Sequence, residues 1–462
     1  MSRGATVIVL LAIAAAAAGQ EEPRVAREGF ATLVGAGARA SGMGGAFTAI
    51  ADDATAASWN PAGLAQLRQP EVSLVYDSID TDRTSRSLLH YAIDLPSLGV
   101  QSIIYQTDTP NLAASRSSDI GFASATMPLG NSVIEISARR LARFPSSVAE
   151  RRFTNVTELG GVVRQSQTVE RSVITNGGSI DDYAVSGARS IKRLMIGASV
   201  GWLRGGIAET ADLADASPSA AYSSRTTFAH EFSGVHADVG ILYDLGGGLT
   251  AGAVYRSGFS TALRYRSSSR MVNGSTAAES ETEGHSRIRW PHGFSLGLAA
   301  KLPYRLTLAA DYSRTRWSEA GVDRVDLASF ATDATGVTRP AVETLYNVGY
   351  PYLTPALQHD TGSLRFGAET SLGNGMLRWL FRAGWFTEDQ IVNGWGSLNQ
   401  PRHDGYSGGI GVTAGRHLQF DAAYVVTRGT DNYRVEAPLL PDSFATLSTD
   451  SRRLILSAIV RF

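Results

Sequence analysis

Any chemistry in this 462-residue chain would have to come from a few small groupings of side chains. His230 and His236, with Asp238, fall on one face of a strand pattern and carry metal-ligating atoms. They lack the paired spacing of a helical zinc site, and a polar lining role suits the same residues better. Asp52 and Asp53 are adjacent carboxylates, usable as an acid–base pair, as calcium ligands, or as turn caps and partners for arginine. Gly35, Gly37 and Ala40 are spaced as G-x-G-x-x-A, the dinucleotide fingerprint, but without the strand–helix unit that makes it work. Serines abound, so a Ser–His pair of the kind used by lipid hydrolases stays open, although no local signature marks a nucleophile. These groupings give no catalytic residue, no metal site and no cofactor. More weight falls on Arg256, Arg264, Arg365, Arg378 and Arg382, each opposite an apolar stripe. Facing inward, such guanidinium groups would pair with Asp52 or Asp53, or hold the head of an anion.

Composition bounds the elements that could position them. The 42 Lys+Arg nearly cancel the 43 Asp+Glu, which excludes the basic field of a nucleic-acid binder. Only Lys192 and Lys301 are lysine; the arginine excess fits either codon preference or guanidinium contact with lipopolysaccharide phosphates at loop bases. There is no cysteine, so neither disulfides nor thiolate chemistry enter. Residues 1–19 read as a secretory signal: Arg3, then an apolar run from Ala5 to Ala18, then small residues before Gln20. No later stretch offers about 18 or more consecutive apolar residues. An exported, membrane-embedded chain would therefore have to cross with strands.

From residue 70 to 462 the pattern alternates with period two. Leu194, Ile196, Ala198, Val200 and Trp202 oppose Gly197, Ser199 and Gly201. Leu249, Ala251, Ala253, Tyr255, Phe259 and Leu263 oppose Thr250, Arg256, Ser260 and Arg264. Leu364, Phe366 and Ala368 oppose Arg365 and Glu369, and Leu418, Phe420 and Tyr424 oppose Gln419 and Asp421. Charge on one face and an unbroken apolar stripe on the other predict an all-β, transmembrane antiparallel barrel. Short turns, among them Pro96 to Leu98, alternate with long links such as Arg143 to Ser179, Gly206 to Thr226 and Ser267 to Glu283. Counted this way there are about sixteen candidate strands. Of these candidates, the stretch near Asp119 to Leu141 reads as an added hairpin, or one of the first pairs does not span. The chain ends RLILSAIVRF, an alternating strand into Phe462, which resembles the signal read by the barrel-assembly machinery.

Residues 35–67 break this rhythm with glycine, alanine, an acidic pair and an Asn-Pro turn, the composition of a compact plug. Arg39, Gly42, Met43, Gly44, Gly45, Ala46 and Phe47, then Asp52 and Asp53, then Trp59, Asn60, Pro61, Ala62, Gly63 and Leu64 resemble the N-terminal hatch of the FadL family. These are outer-membrane barrels that admit long-chain fatty acids and other hydrophobic molecules. The resemblance implies fourteen strands, a monomer in the Gram-negative outer membrane among lipid and lipopolysaccharide, and a hatch inside the lumen. Residues 20–69 would form the periplasmic segment and hatch. Gly42, Gly44, Gly45, Asp52, Asp53, Asn60, Pro61, Ala62 and Gly63 would hold or release it. Met43, Phe47, Ile50 and Trp59 would line a pocket for a hydrophobic small molecule, which passes downhill because nothing binds nucleotide. Leu327 to Phe330 and Leu353 to Leu357 are candidates for an outer capture groove. A related PorV-like branch uses the same plug wording in protein secretion, as an attachment or shuttle component. An outer-membrane lipid hydrolase is a further alternative, though it needs no such plug.

Overall fold

The computed structural model describes residues 35–88, 91–95, 100–106, 111–144, 147–159, 162–174, 178–214, 222–273, 276–322, 326–332, 338–340, 359–373, 376–390, 402–435 and 443–462. Fourteen antiparallel strands close into a barrel. They are β1 (Glu71–Leu88), β2 (Asn111–Leu129), β3 (Ser132–Phe144), β4 (Gly178–Ile191), β5 (Leu194–Ala214), β6 (Tyr222–Gly246), β7 (Leu249–Arg256 and Phe259–Asn273), β8 (Thr276–Trp290 and Gly293–Leu302), β9 (Leu306–Thr315), β10 (Thr361–Leu372), β11 (Leu377–Asp389), β12 (Arg402–Ala414), β13 (Leu418–Val435) and β14 (Ser443–Arg461). Pairing of β1 with β14, from Glu71 opposite Arg461 to Leu88 opposite Phe444, closes the sheet and removes its edges.

The outward face carries the apolar stripes. Leu74, Val185, Val200, Leu298, Phe366, Tyr424 and Leu456 are among the exposed large apolar side chains, whereas their inward neighbours Ser73, Ser186, Ser199, Gly297, Arg365, Ala423 and Ser457 are wholly or partly buried. A soluble protein would put the apolar face inside, so this inversion marks a wall built for lipid. At one end the strands join by turns of a few residues, several through left-handed positions such as Gly130 (φ 63°) and Lys192 (φ 57°). Phe462 projects outward at this turn end, its N–H donating to the Pro70 carbonyl at 3.0 Å. No helix among the described residues is long and apolar enough to cross a membrane.

Several of the long links continue as strand where they are described. Gly206 to Thr226 and Ser267 to Glu283 extend β5–β6 and β7–β8 far past the apolar belt as paired ladders. Their Ser, Thr and charged residues favour or tolerate extension without supplying an apolar stripe, so pattern alone reads them as loop. The surplus strands lie here too. Asp119 to Leu141 belongs to β2 and β3, both part of the barrel; Pro96 to Leu98 lie outside the described residues, and the strands Tyr91–Leu95 and Val100–Gln106 pair as a hairpin at the loop end. Ser147–Leu159 and Val162–Ile174 form a second hairpin between β3 and β4, paired to the first. Of the proposed groove residues, Leu327 to Phe330 lie in a strand paired to β8, and Leu353 to Leu357 lie outside the described residues.

One irregularity redirects the side chains of two strands. β7 breaks at Ser257–Gly258 and β8 at Pro291–His292, at the same level. Pro cannot donate to a ladder and Gly weakens one, which accounts for the site of the breaks. Below them Val254 and Arg256, and Ser295 and Gly297, point inward. Above them Thr261, Ile288 and Trp290 point inward, while Arg264, Arg287 and Arg289 are exposed on the outside. An uneven count at a bulge exchanges the two faces of a strand. Arg264 is therefore not a lumen residue, and Phe259 leaves the outer stripe for the interior.

Candidate functional site

Residues 35–69 lie inside the barrel, where a short helix α1 (Ala38–Gly42) and two 3-10 turns, Ala56–Ser58 and Pro61–Gln66, pack against the wall. Almost every residue of the segment is buried. Met43, Phe47, Ile50 and Leu64 form its core with Val133, Ala188, Ala299 and Ala309 of the wall. Phe47 meets Trp59 edge-on with ring centroids 6.0 Å apart, and full burial of such a side chain stabilises by about 2–3 kcal/mol.

Polar contacts fix the segment at a few points. Arg39 donates from Nε and Nη2 to both carboxylate oxygens of Glu369, each at 2.9 Å, and from Nη1 to Asp52 at 2.5 Å. Glu369 also receives Arg382 Nε at 2.6 Å, and Arg382 pairs with Asp421 at 2.8 Å. Burial alone would lower the Arg39 pKa; Asp52, Glu369 and Asp53 more than offset it and hold the guanidinium well above its ordinary value. Asp53 caps a turn, accepting from the Thr55 N–H at 2.9 Å and hydroxyl at 2.6 Å. The arginine that the acidic pair meets thus comes from the same segment; of the wall arginines, Arg382 holds Glu369 and Asp421, Arg365 pairs with Glu388 and donates to the Gly44 carbonyl, and Arg256 donates to the Trp59 carbonyl.

Asn60 caps the turn that follows, its Oδ1 accepting from the Ala62 N–H at 3.1 Å. Its Nδ2 donates to the Thr48 carbonyl at 2.9 Å and, across to the wall, to the Ile241 carbonyl at 3.1 Å. Pro61 opens the 3-10 turn, where its missing N–H costs nothing. Asp311 takes both the Phe47 and Thr48 N–H groups at 2.8 Å. Ser407 bridges the Gly42 carbonyl at 3.0 Å and the Gly44 N–H at 2.9 Å.

These approaches depend on glycines in the wall, which sequence reasoning missed. A side-chain carbon added at Gly240 would lie 2.0 Å from Asn60 Oδ1, at Gly197 2.4 Å from the Pro61 carbonyl carbon, and at Gly384 2.0 Å from the Gly44 nitrogen. Gly252, Gly297 and Gly367 stand in the same relation to Thr48 and Met43. Their recurrence at inward positions of successive strands was the available signal. Within the segment, Gly44 and Gly45 occupy left-handed backbone (φ 66° and 76°), Gly42 abuts Gly409, and Gly63 faces the Ala51 carbonyl.

On the loop side of the segment lies a cavity of about 270 Å³, bordered by Ser41, Gly44, Gly45 and Trp59. Six arginines line it, Arg83, Arg139, Arg140, Arg143, Arg365 and Arg453; Arg143 and Arg453 pair with Asp77, Arg365 with Glu388, and Arg139 and Arg140 with Asp182 and Asp181 beside the lining. A smaller cavity of about 90 Å³ adjoins Trp59, Arg256 and Arg365. Trp59 therefore borders both, whereas Met43, Phe47 and Ile50 are enclosed in packing. Arg378 is exposed at the turn end. Leu141 and Ala142 of the larger cavity belong to or pack on an apolar cluster with Phe232, Phe259, Ile288, Trp290 and Trp317. The Phe259 and Trp290 rings stack at 5.8 Å, and Trp290 Nε1 donates to Thr261 Oγ1 at 2.8 Å. This aromatic cluster faces the lumen because of the break in β7 and β8.

His236 pairs with Asp182 at 3.0 Å and lies 3.7 Å from Asp238. The His230 side chain lies outside the described residues. Among the described residues no group of three His, Asp or Glu could hold a metal ion.

A closed fourteen-strand wall around an internal N-terminal segment is a FadL-like fold. Solved structures with this fold include a FadL homologue from Pseudomonas aeruginosa, 15% identical, with a TM-score of 0.60 over 93% of this chain and 98% of that one. The toluene transporter TodX of P. putida aligns at 16% identity and TM-score 0.57, and TbuX of Ralstonia pickettii at 14% and 0.54, each over 93% of this chain and 99% of its own. Residues 6–91 match an uncharacterised protein family, UPF0164. No curated protein matches in sequence.

Proposed function

We propose that this chain sits in the Gram-negative outer membrane and lets a hydrophobic or amphiphilic molecule enter passively, with residues 20–69 as the periplasmic segment and hatch. The observation that carries this reading is the lumen itself. Its lower part is filled by a segment pinned to the wall at Asn60, Arg39 and a few further contacts, and above it an arginine-lined cavity meets an aromatic cluster. Asn60, Pro61 and Ala62 hold the hatch against Gly197 and Gly240; Gly42, Gly44, Gly45 and Gly63 allow its close packing. Residues 1–19 direct export, Phe462 is read by the assembly machinery, and the barrel acts as a monomer. Toluene transporters share the fold, yet six arginines beside an apolar cluster favour a ligand with an anionic head and an apolar tail.

Oleate uptake tests this in a Gram-negative strain lacking its own fatty-acid barrel, after folding in the outer membrane is confirmed. Expression should raise uptake several-fold over vector, and the Asn60→Ala, Pro61→Ala variant should change that rate. Vector-level oleate uptake by a folded barrel would reject the anionic ligand. Toluene uptake would then identify a hydrocarbon channel, and its absence would shift weight to a secretion shuttle.

A further inference from the structure

Around much of the barrel, charged residues that project outward beyond the apolar belt are neutralised in pairs. Arg116 meets Asp80 at 2.5 Å, Arg402 meets Asp389 at 2.9 Å, Arg428 meets Asp450 at 3.1 Å and Arg314 meets Asp360 at 3.1 Å. The sector formed by β5 to β8 departs from this rule. Arg204, Arg264 and Arg287 are exposed on its outer face, and none of the three forms an ion pair among the described residues. Arg289 is exposed beside them and already has an interaction of its own. The carboxylates on this face are Glu231, across the strand from Arg264, and, further out on β8, Glu279, Glu281 and Glu283, of which Glu283 is engaged by Arg266 at 2.6 Å and Glu279 by Arg270 at 3.5 Å.

Register places these arginines close together. Arg204, Ser233, Ala262 and Arg287 share one row across four strands. Arg264 stands one step further out on β7, and Arg289 one step nearer the belt on β8. Diagonal neighbours in a sheet lie about 7–8 Å apart, within reach of two arginine side chains converging on one anion. Arg204 is three strand spacings away, about 14 Å, and lies over the Trp202 ring at 5.9 Å. Directly below come Trp202, Val235 and Tyr255, all exposed and apolar. The cluster exists on this side only because the breaks in β7 and β8 turn Arg264, Arg287 and Arg289 outward.

We propose that this face is a binding site for the phosphate groups of an outer-leaflet lipid. Arg264 and Arg287 grip one phosphate, Arg289 and Arg204 flank it, and the acyl chains run down over Trp202, Val235 and Tyr255. Planar guanidinium forks match phosphate oxygens in pairs, and the unbalanced charge begins where the apolar belt ends. The assignment rests on the membrane reading above and is independent of what passes through the lumen.

The test uses the full-length mature protein purified in detergent, with bis-phosphorylated lipid A as the probe, followed by native mass spectrometry and thermal unfolding. Lipid A should bind and raise the unfolding temperature, while its dephosphorylated form and inorganic phosphate should do neither. The Arg264→Gln, Arg287→Gln variant should bind at least about tenfold more weakly. Arg428→Gln, in a paired sector, should match the wild type. Arg264→Lys, Arg287→Lys keeps the charge without the fork and should fall between them, which guards against misfolding of the glutamine variant. Equal lipid A binding by wild type and both double variants would overturn the proposal. So would equal binding of the dephosphorylated lipid, or equally strong binding of inorganic phosphate, which would assign a free-anion site. Unchanged oleate uptake in the double variant would keep this result separate from the transport reading.

Discussion

Arg39 connects the inner segment to the wall more firmly than any other side chain in it, because one guanidinium serves Glu369 with two donors and Asp52 with a third. Arg39→Gln would leave Glu369 with Arg382 but strand Asp52, and breaking one member of a buried charge cluster costs about 3–5 kcal/mol. The expected outcome is a lower unfolding temperature and cleavage of the N-terminal segment by added protease while the barrel resists. Unchanged protection would mean that apolar packing alone holds the segment. Since the folded pKa of Arg39 is raised, its contribution is fully present below the unfolded pKa and is lost only as pH rises through the folded value. Arg39 therefore contributes no pH sensitivity near neutrality. Asp52, Asp53 and Asn60 were legible as turn and pairing residues, because their chemistry is local. The wall glycines were not: glycine opposite Asn60 in space looks the same in sequence as glycine anywhere else in a strand. Gly240→Val would drive a branched side chain into Asn60, and we expect a folded barrel that shows the same protease sensitivity as Arg39→Gln.

Alternation made the strands readable, since lipid outside and polar lumen inside force a period of two on each crossing. It failed where that force is missing. The extensions of β5 to β8 lie beyond the belt, and their polar residues carry no stripe to read. The breaks at Ser257–Gly258 and Pro291–His292 exchange faces through single small irregularities, so Phe259 and Arg264 were placed on the wrong sides although Gly258 and Pro291 marked the spot. The absence of cysteine makes this directly measurable. In whole cells, Arg264→Cys should react with a membrane-impermeant maleimide, and Thr261→Cys, buried beside Trp290, should react at least about tenfold more slowly. Comparable rates at the two positions would contradict the face exchange.

For the molecule as a whole, the decisive quantity is how much of the lumen the inner segment fills. Barrels of eight strands are filled by their own side chains, and those of sixteen to eighteen hold an aqueous channel. A fourteen-strand wall is wide enough to conduct unless something occupies it. Here the wall's inward glycines bring its backbone against residues 42–62, so the segment and the barrel are shaped to each other and little space is left between them. In planar bilayers the intact protein should pass almost no ionic current. Deleting residues 35–67 should raise conductance by at least about tenfold, because the strands that form the pore keep all their ladder bonds. Removing only the Asn60 contact, by Asn60→Ala, should give brief openings to a lower level, since Arg39 and Asp311 still hold their parts of the segment. An intact protein that conducts as well as the deletion would show that the segment does not seal the lumen, and the gating role of Asn60, Pro61 and Ala62 would fall with it.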